Sequence, residues 1–186
     1  SLGRAFQLTN LFPNLSVLEN VRLAVQATQG GPHRRGLNLW SIWSDHRHLT
    51  ERAESILRSV ALFERRDTPV ASLPHGDQRK LEVALLMALE PQVYMFDEPT
   101  AGMDASGRRE LVKIISGLAD TTVIIVTHNL EDFLPLINRC LVLSRARLVA
   151  DLKREELPDS LDALRRAGIE PPLVLSVRKK LEEEAI

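Results

Sequence analysis

The chain has 186 residues, 44% of them apolar and 26% charged, enough to bury a core and too apolar for a disordered tail. Its 24 basic side chains nearly balance 25 acidic ones, for a formal charge of -1, which removes the simplest electrostatic case for a nucleic-acid partner. One cysteine, Cys140, cannot close an internal disulfide and suits a reducing cytosol, and no run approaches the ~18 uncharged apolar residues of a membrane span. No secretory signal opens the sequence. The chain starts at Ser1 and runs directly into Leu-Gly-Arg-Ala-Phe-Gln, which reads as a piece of a longer protein; removal of an initiator Met before a small residue is the bland alternative.

Residues 8–72 lack strong strands and read as a helical lobe. A helix is expected after Ser16, where Ser-Val-Leu-Glu offers a capping box with Glu19 three residues on. A polar interval from Gln29 to Arg35, containing Gly30, Gly31 and Pro32, ends it. A second helix is expected over Thr50–Leu62, where Ala53, Ile56, Leu57, Val60 and Ala61 recur at helical spacing.

Residues 73–150 alternate helix and strand, which predicts an α/β domain with a mainly parallel sheet. A helix over Asp77–Leu89 stops before Glu90-Pro91. Val93–Phe96 follows as a short apolar strand, then a helix over Ala105–Leu118 with Leu111, Ile114, Ile115 and Leu118 inward. Thr121–Val126 is dominated by β-branched residues and reads as a strand buried on both faces. A further helix is expected near Leu130–Ile137, then a hairpin of Cys140–Leu143 and Leu148–Ala150. Residues 151–186 form a charged, partly helical extension, broken at Glu170-Pro171-Pro172.

Four features carry chemistry. The apolar strand 93–96 ends in Asp97-Glu98-Pro99, and ligands of parallel sheets sit outside the carboxyl ends of strands. Asp97 suits Mg²⁺ held through water, and Glu98 suits orienting or deprotonating an attacking water, with Pro99 expected to keep Glu98 extended. A strand that simply ends in polar residues is the plain alternative. Second, Leu73-Pro74-His75-Gly76-Asp77-Gln78 opens a helix whose first amides could hold phosphate, although Asp77 favours any helix start. Third, His128 follows the strand 122–126, whose end should lie beside that of the Asp97 strand. It can donate to charge developing on a phosphoryl group, or simply bond a nearby carbonyl. Fourth, Gln7 at a strand end could ligate metal or hold a water.

Taken in order, Gln7, residues 73–80, Asp97-Glu98, Ala101-Gly102-Met103-Asp104 and His128 resemble the Q-loop, signature, Walker B, D-loop and H-loop of an ABC-transporter ATPase subunit. The resemblance covers about residues 1–155. Phe6-Gln7, Leu11–Val21 and Leu73–Gln78 look most like its branched-chain amino acid uptake branch. The resemblance implies a P-loop NTPase-type fold, divided as core-sheet remnant and Q-loop 1–7, helical subdomain 8–72, RecA-like core 73–150 and extension 151–186. It also implies ATP and Mg²⁺, a second ATPase subunit clamped head to tail, transmembrane permease subunits, and indirectly an extracytoplasmic substrate-binding protein. No nucleic acid is expected. By the same resemblance, Glu98 and His128 are catalytic, Asp97 and Gln7 hold metal, and Gln7, residues 73–78 and Asp104 contact nucleotide, at the cytoplasmic face of a membrane. Asp104 serves equally well as an ordinary helix cap.

The sequence departs from the family in three ways. None of its five lysines follows a glycine, so the Gly-rich phosphate loop is expected upstream of Gln7 and the 186 residues alone should not hydrolyse ATP. The sheet should then be short of strands, with an open edge and an apolar face. In the signature, Pro74 stands where a serine is usual, His75 where a glycine is usual, and Asp77 where glutamine is common. Rival readings are a non-catalytic ABC-like interaction module, an importer ATPase for urea or amides, and a soluble ABC ATPase of DNA repair or translation. His33, His46, His48 and Asp45 form a weak candidate for metal. Leu37, Trp40 and Trp43 form an apolar patch suited to a permease or to packing within the lobe.

Overall fold

The computed structural model describes residues 2–5, 11–29, 46–118 and 121–184, in two compact units, Ser1–Val126 and Thr127–Ile186. The candidates at Gln7, His33, Leu37, Trp40, Trp43 and Asp45 lie outside the described residues.

In the first unit, α1 (Val17–Gln29) and α2 (His46–Ser59) pack with α3 (His75–Ala88). Val17, Val21 and Val25 recur every fourth residue on α1 and are fully buried with Leu57 of α2 and Val60 just beyond its end. The core continues into α3 through Leu81, Ala84 and Ala88, across the division expected at 72/73. The Ser16 hydroxyl accepts the Glu19 N–H at 3.2 Å, as half of the expected capping box, while the Glu19 carboxylate grips Arg22. Asn20 is buried: its amide donates to the carbonyls of Phe12 (3.1 Å) and Ser16 (2.9 Å) and accepts the Phe12 N–H (2.9 Å). With the backbone bonds from Val17 to Thr68 and from Leu18 to Arg66, it fixes the approach to α1.

Helix α2 begins four residues earlier than the periodicity indicates, supported by the Arg47–Glu51 pair, and stops three residues sooner. Ala61 takes φ +56°, the Ala61 N–H donates to the Arg58 carbonyl, and the Leu62 N–H to that of Leu57. This is a Schellman ending with alanine where glycine is favoured.

Strand β1 (Leu2–Ala5), β2 (Val93–Asp97) and β3 (Thr122–Val126) form a parallel sheet in the order β1-β2-β3, with α4 (Ala105–Ser116) crossing from β2 to β3. Consecutive strands neighbour each other as expected, Asp97 lying opposite Val126. The double burial expected of 121–126 is not observed. Ile124 is 41% and Val126 50% exposed, because β3 is an edge strand among the described residues.

The second unit holds a hairpin of β4 (Arg139–Ser144) and β5 (Arg147–Lys153), then α5 (Leu161–Arg166) and α6 (Leu173–Glu184). Val142, Leu157, Leu161, Leu164 and Leu175 form its core. The turn residues Arg145 and Ala146 both have positive φ, 49° and 58°, which matches the right-handed strand twist without the usual Asn-Gly. The helix expected over 130–137 is instead a single 3₁₀ turn, Glu131–Phe133. Pro135 has no N–H to return to the Glu131 carbonyl, so the first full α-helical turn cannot propagate.

Candidate functional site

The β2 strand alternates: Tyr94 and Phe96 are buried, Val93 and Met95 half-buried, and Asp97 emerges into solvent at the carboxyl end. Burial raises the Tyr94 phenol pKa, as expected for a group inside the sheet. The Glu98 N–H donates to the Val126 carbonyl at 2.9 Å, binding the end of β2 to the end of β3. Two turns follow, Ala101 N–H to Glu98 carbonyl (3.1 Å) and Met103 N–H to Thr100 carbonyl (3.2 Å), over the buried Pro99 and Thr100.

Glu98 is not extended. Its φ is +43°, in the left-handed region that costs a non-glycine residue about 1–2 kcal/mol. The expectation drawn from Pro99 fails because the Val126 and Ala101 bonds at Glu98 hold the backbone in a turn against its local preference. Glu90, before Pro91, likewise takes φ +45°. Strain at a side chain so placed is the kind of backbone outlier that accompanies functional sites.

Helix α3 begins at His75, two residues earlier than expected, with Pro74 as N-cap at ψ 152°. No side-chain bond caps it, and the Asp77 and Gln78 N–H groups both donate to the Pro74 carbonyl. The N–H groups of His75 and Gly76 come first in the helix and have no intrahelical carbonyl to reach. Leu73 is buried, and the Gln78 side-chain amide donates back to its carbonyl at 3.0 Å. Gln78 thus braces the turn.

The same end of α3 meets the 101–104 loop. Gly102 has φ +73°, and a Cβ there would lie 3.5 Å from His75 Nε2; a Cβ on Gly76 would lie 3.5 Å from Met103 Cε. Asp104 caps α4, its Oδ1 accepting the Gly107 N–H at 2.7 Å. The cap reading of Asp104 is thus realised, and its exposure leaves the residue reachable from solvent.

Asp77 does not face outward as a lone carboxylate. Its Oδ2 pairs with Arg65 Nε (3.1 Å) and its Oδ1 with Lys80 Nζ (2.9 Å), and Lys80 also pairs with Glu110 Oε2 (2.9 Å). Burial pulls the Lys80 pKa down, but the hydrogen bonds to Glu110 and Asp77 outweigh it and the net shift is upward. Sequence reasoning missed this lysine, because its partners lie three positions before it and thirty after. It also missed the Arg79–Glu82 pair (2.8 Å), which lines a small cleft with Asp97 and Pro99, the buried Arg79 Nε having no hydrogen-bond partner there.

His128 is exposed, two residues beyond β3, and opens the second unit. Beside it the Thr127 hydroxyl accepts the Asn129 N–H (3.0 Å), and Asn129 Nδ2 donates to Asp132 (3.1 Å). Among the described residues no group of three His, Cys, Asp or Glu side chains is arranged as a metal cage. Mg²⁺ needs none: an exposed carboxylate such as Asp97, retained waters and phosphate oxygens are its usual ligands. The donor set fits.

Residues 1–101, more than half the chain, match the family model described as ABC transporter. The chain belongs to the ABC transporter family. The energy-coupling factor transporter ATP-binding protein EcfA2 of Mycoplasma mobile is 36% identical over 116 residues, covering 61% of this chain and 38% of the relative. The high-affinity branched-chain amino acid transport ATP-binding protein LivG of Escherichia coli K12 is 28% identical over 166 residues, covering 87% and 65%. Among solved structures, the dimeric ATP-binding cassette MJ0796, in a post-hydrolysis state with ADP and Pi, aligns with TM-score 0.65 at 23% identity, over 82% of this chain and 62% of that one. The fold is therefore the α/β fold of an ABC ATPase domain. The chain spans less than two thirds of the length of each of these relatives. No helix among the described residues is long and apolar enough to cross a membrane.

Proposed function

We propose that this chain is the ATP-binding and ATP-hydrolysing part of an ABC importer. The observation that carries the reading is the junction at the end of β2: Asp97 exposed, Glu98 held at positive φ, and the start of α3 against the 101–104 loop. In this reading Asp97, with Gln7, holds Mg²⁺, whose charge neutralises the β- and γ-phosphates. Glu98 orients and deprotonates the attacking water, its strained backbone fixing the carboxylate's direction. His128 donates to the γ-phosphate. The His75 and Gly76 amides, with Leu73, Pro74, Asp77, Gln78 and Asp104 around them, complete the site of a second ATPase subunit. Permease subunits receive the resulting motion at the inner face of a membrane, and a substrate-binding protein acts indirectly from the other side. The divisions 1–7, 8–72, 73–150 and 151–186 serve as Q-loop remnant, helical subdomain, RecA-like core and extension.

The phosphate loop would be supplied from outside these 186 residues. An in-frame Gly-Lys-Ser/Thr loop in the DNA immediately upstream supports that; its absence favours the non-catalytic module. Turnover by the complete gene product should fall by about 10²-fold or more in Glu98→Gln, a typical general-base contribution. Unchanged turnover would remove Glu98 from the chemistry. The 186 residues alone should show none above background.

Branched-chain amino acids are the proposed cargo, because the branched-chain ATP-binding relatives align over 87% of the chain. The 36% identity with an energy-coupling factor transporter protein supports a second reading. Disrupting the gene should abolish leucine, isoleucine and valine uptake; loss of another solute with these intact would favour the second.

A further inference from the structure

Four charges of alternating sign, Arg65, Asp77, Lys80 and Glu110, run from the 3₁₀ turn Phe63–Arg65 through α3 to α4. The links are 3.1, 2.9 and 2.9 Å. Lys80 is the centre: its side chain is only 9% exposed, whereas those of Arg65 and Glu110 are 50% and 43% exposed. An ammonium removed from water costs several kcal/mol unless its donors are satisfied, so both acids are needed to hold it there. The geometry also ties α3 to the loop that leads into α4, since His75 and Gly76 lie against Gly102 and Met103. The Lys80–Glu110 bridge stands one to two helical turns further along both helices. Two attachments a helical turn or more apart fix an angle as well as a distance.

We propose that Lys80 is a positioning residue whose double ion pair sets the placement of the 101–104 loop against the first residues of α3, and that the Arg65–Asp77 link makes this placement follow the helical lobe. Asp77 is then held as a strut of this chain, which explains how a carboxylate is tolerated at an end offered to phosphate. Its charge is matched by Lys80 and Arg65 before any anion arrives. The consequence for the partner's nucleotide rests on the ATPase reading; the placement itself does not.

Hydrogen exchange on the chain without nucleotide tests the placement independently of that reading. In Lys80→Met, amides of a peptide spanning 99–107 should exchange about tenfold faster, while those of 122–126 keep their rate. Lys80→Arg should restore the 99–107 rate. Leu81→Ala, which weakens the same helix by lost packing, should quicken exchange across the whole unit without singling out 99–107. If Lys80→Met does not fold, Glu110→Gln, a change at a partly exposed site, should give the same local pattern at about threefold. An unchanged 99–107 rate in the charge-removing variants, or the same local pattern in Leu81→Ala, would overturn the proposal. Should the placement hold while the complete gene product lacks turnover, the ATPase reading alone fails.

Discussion

The helical lobe and the open end of the sheet are built on opposite terms. In the lobe, Val17, Val21, Val25, Leu57 and Val60 are fully buried and Asn20 has both amide atoms bonded. At the sheet end, Ile124 and Val126 are half exposed, Glu98 and Gly102 take positive φ, and Asp97 meets solvent. The deepest burial lies in the lobe, while the sheet end combines exposure with a left-handed Glu98 beside an exposed carboxylate; positive φ by itself, also found at Ala61 in the lobe, does not mark the site. This is the distribution expected when a rigid body carries a site that must engage something else.

The largest contrast should appear in truncations. Leu57→Ala should cost about 3 kcal/mol by urea denaturation, through lost burial and a cavity, while Ile124→Thr on the edge strand should stay within about 0.5 kcal/mol. Equal losses would erase the distinction. Asn20→Leu should cost about 2 kcal/mol, since the Phe12 N–H and the Phe12 and Ser16 carbonyls lose their partner. Glycine should then separate the regions by function. Ala61→Gly and Glu98→Gly should each stabilise by about 1 kcal/mol by relieving positive φ. The second alone should abolish turnover in the complete gene product.

The smallest effect belongs to the exposed Arg139–Asp151 pair on the hairpin, joined by two hydrogen bonds of 2.7 and 2.5 Å. The bond from Arg139 lowers the Asp151 pKa, so the folded state binds its proton less readily than the unfolded chain. That contribution is present above the ordinary carboxylate pKa of about 3.9 and fades as pH falls through the lower folded value. Asp151→Asn should lower stability slightly at neutral pH and flatten the acid limb of a stability–pH curve, the difference from the unaltered protein vanishing as pH falls below the folded value.

Much of the order of elements was legible because periodicity and punctuation are local: Ser16 before α1, the apolar run before Asp97, the Pro171-Pro172 break before α6. What misled was context. The β-branched run 122–126 looks suited to two buried faces, yet burial depends on neighbours that the strand does not encode. Pro99 argued for an extended Glu98, and the hydrogen bond that the Glu98 N–H donates to Val126, 28 residues on, overrode it. Nothing local in the sequence pairs Lys80 with Glu110, which becomes its partner only through folding. Arg145-Ala146 carries no glycine to announce its turn.

The central claim is that the carboxyl end of β2 meets metal-bound nucleotide while the start of α3 closes over a second copy's nucleotide. Paramagnetic line broadening by Mn²⁺-ATP, in place of Mg²⁺-ATP, tests it in the isotopically labelled complete gene product. Signals of Asp97 and Glu98 should broaden on binding, joined by His75 and Gly76 as the dimer forms, with Leu57 and Val60 unaffected. Strong broadening elsewhere with Asp97 and Glu98 left sharp would contradict the account.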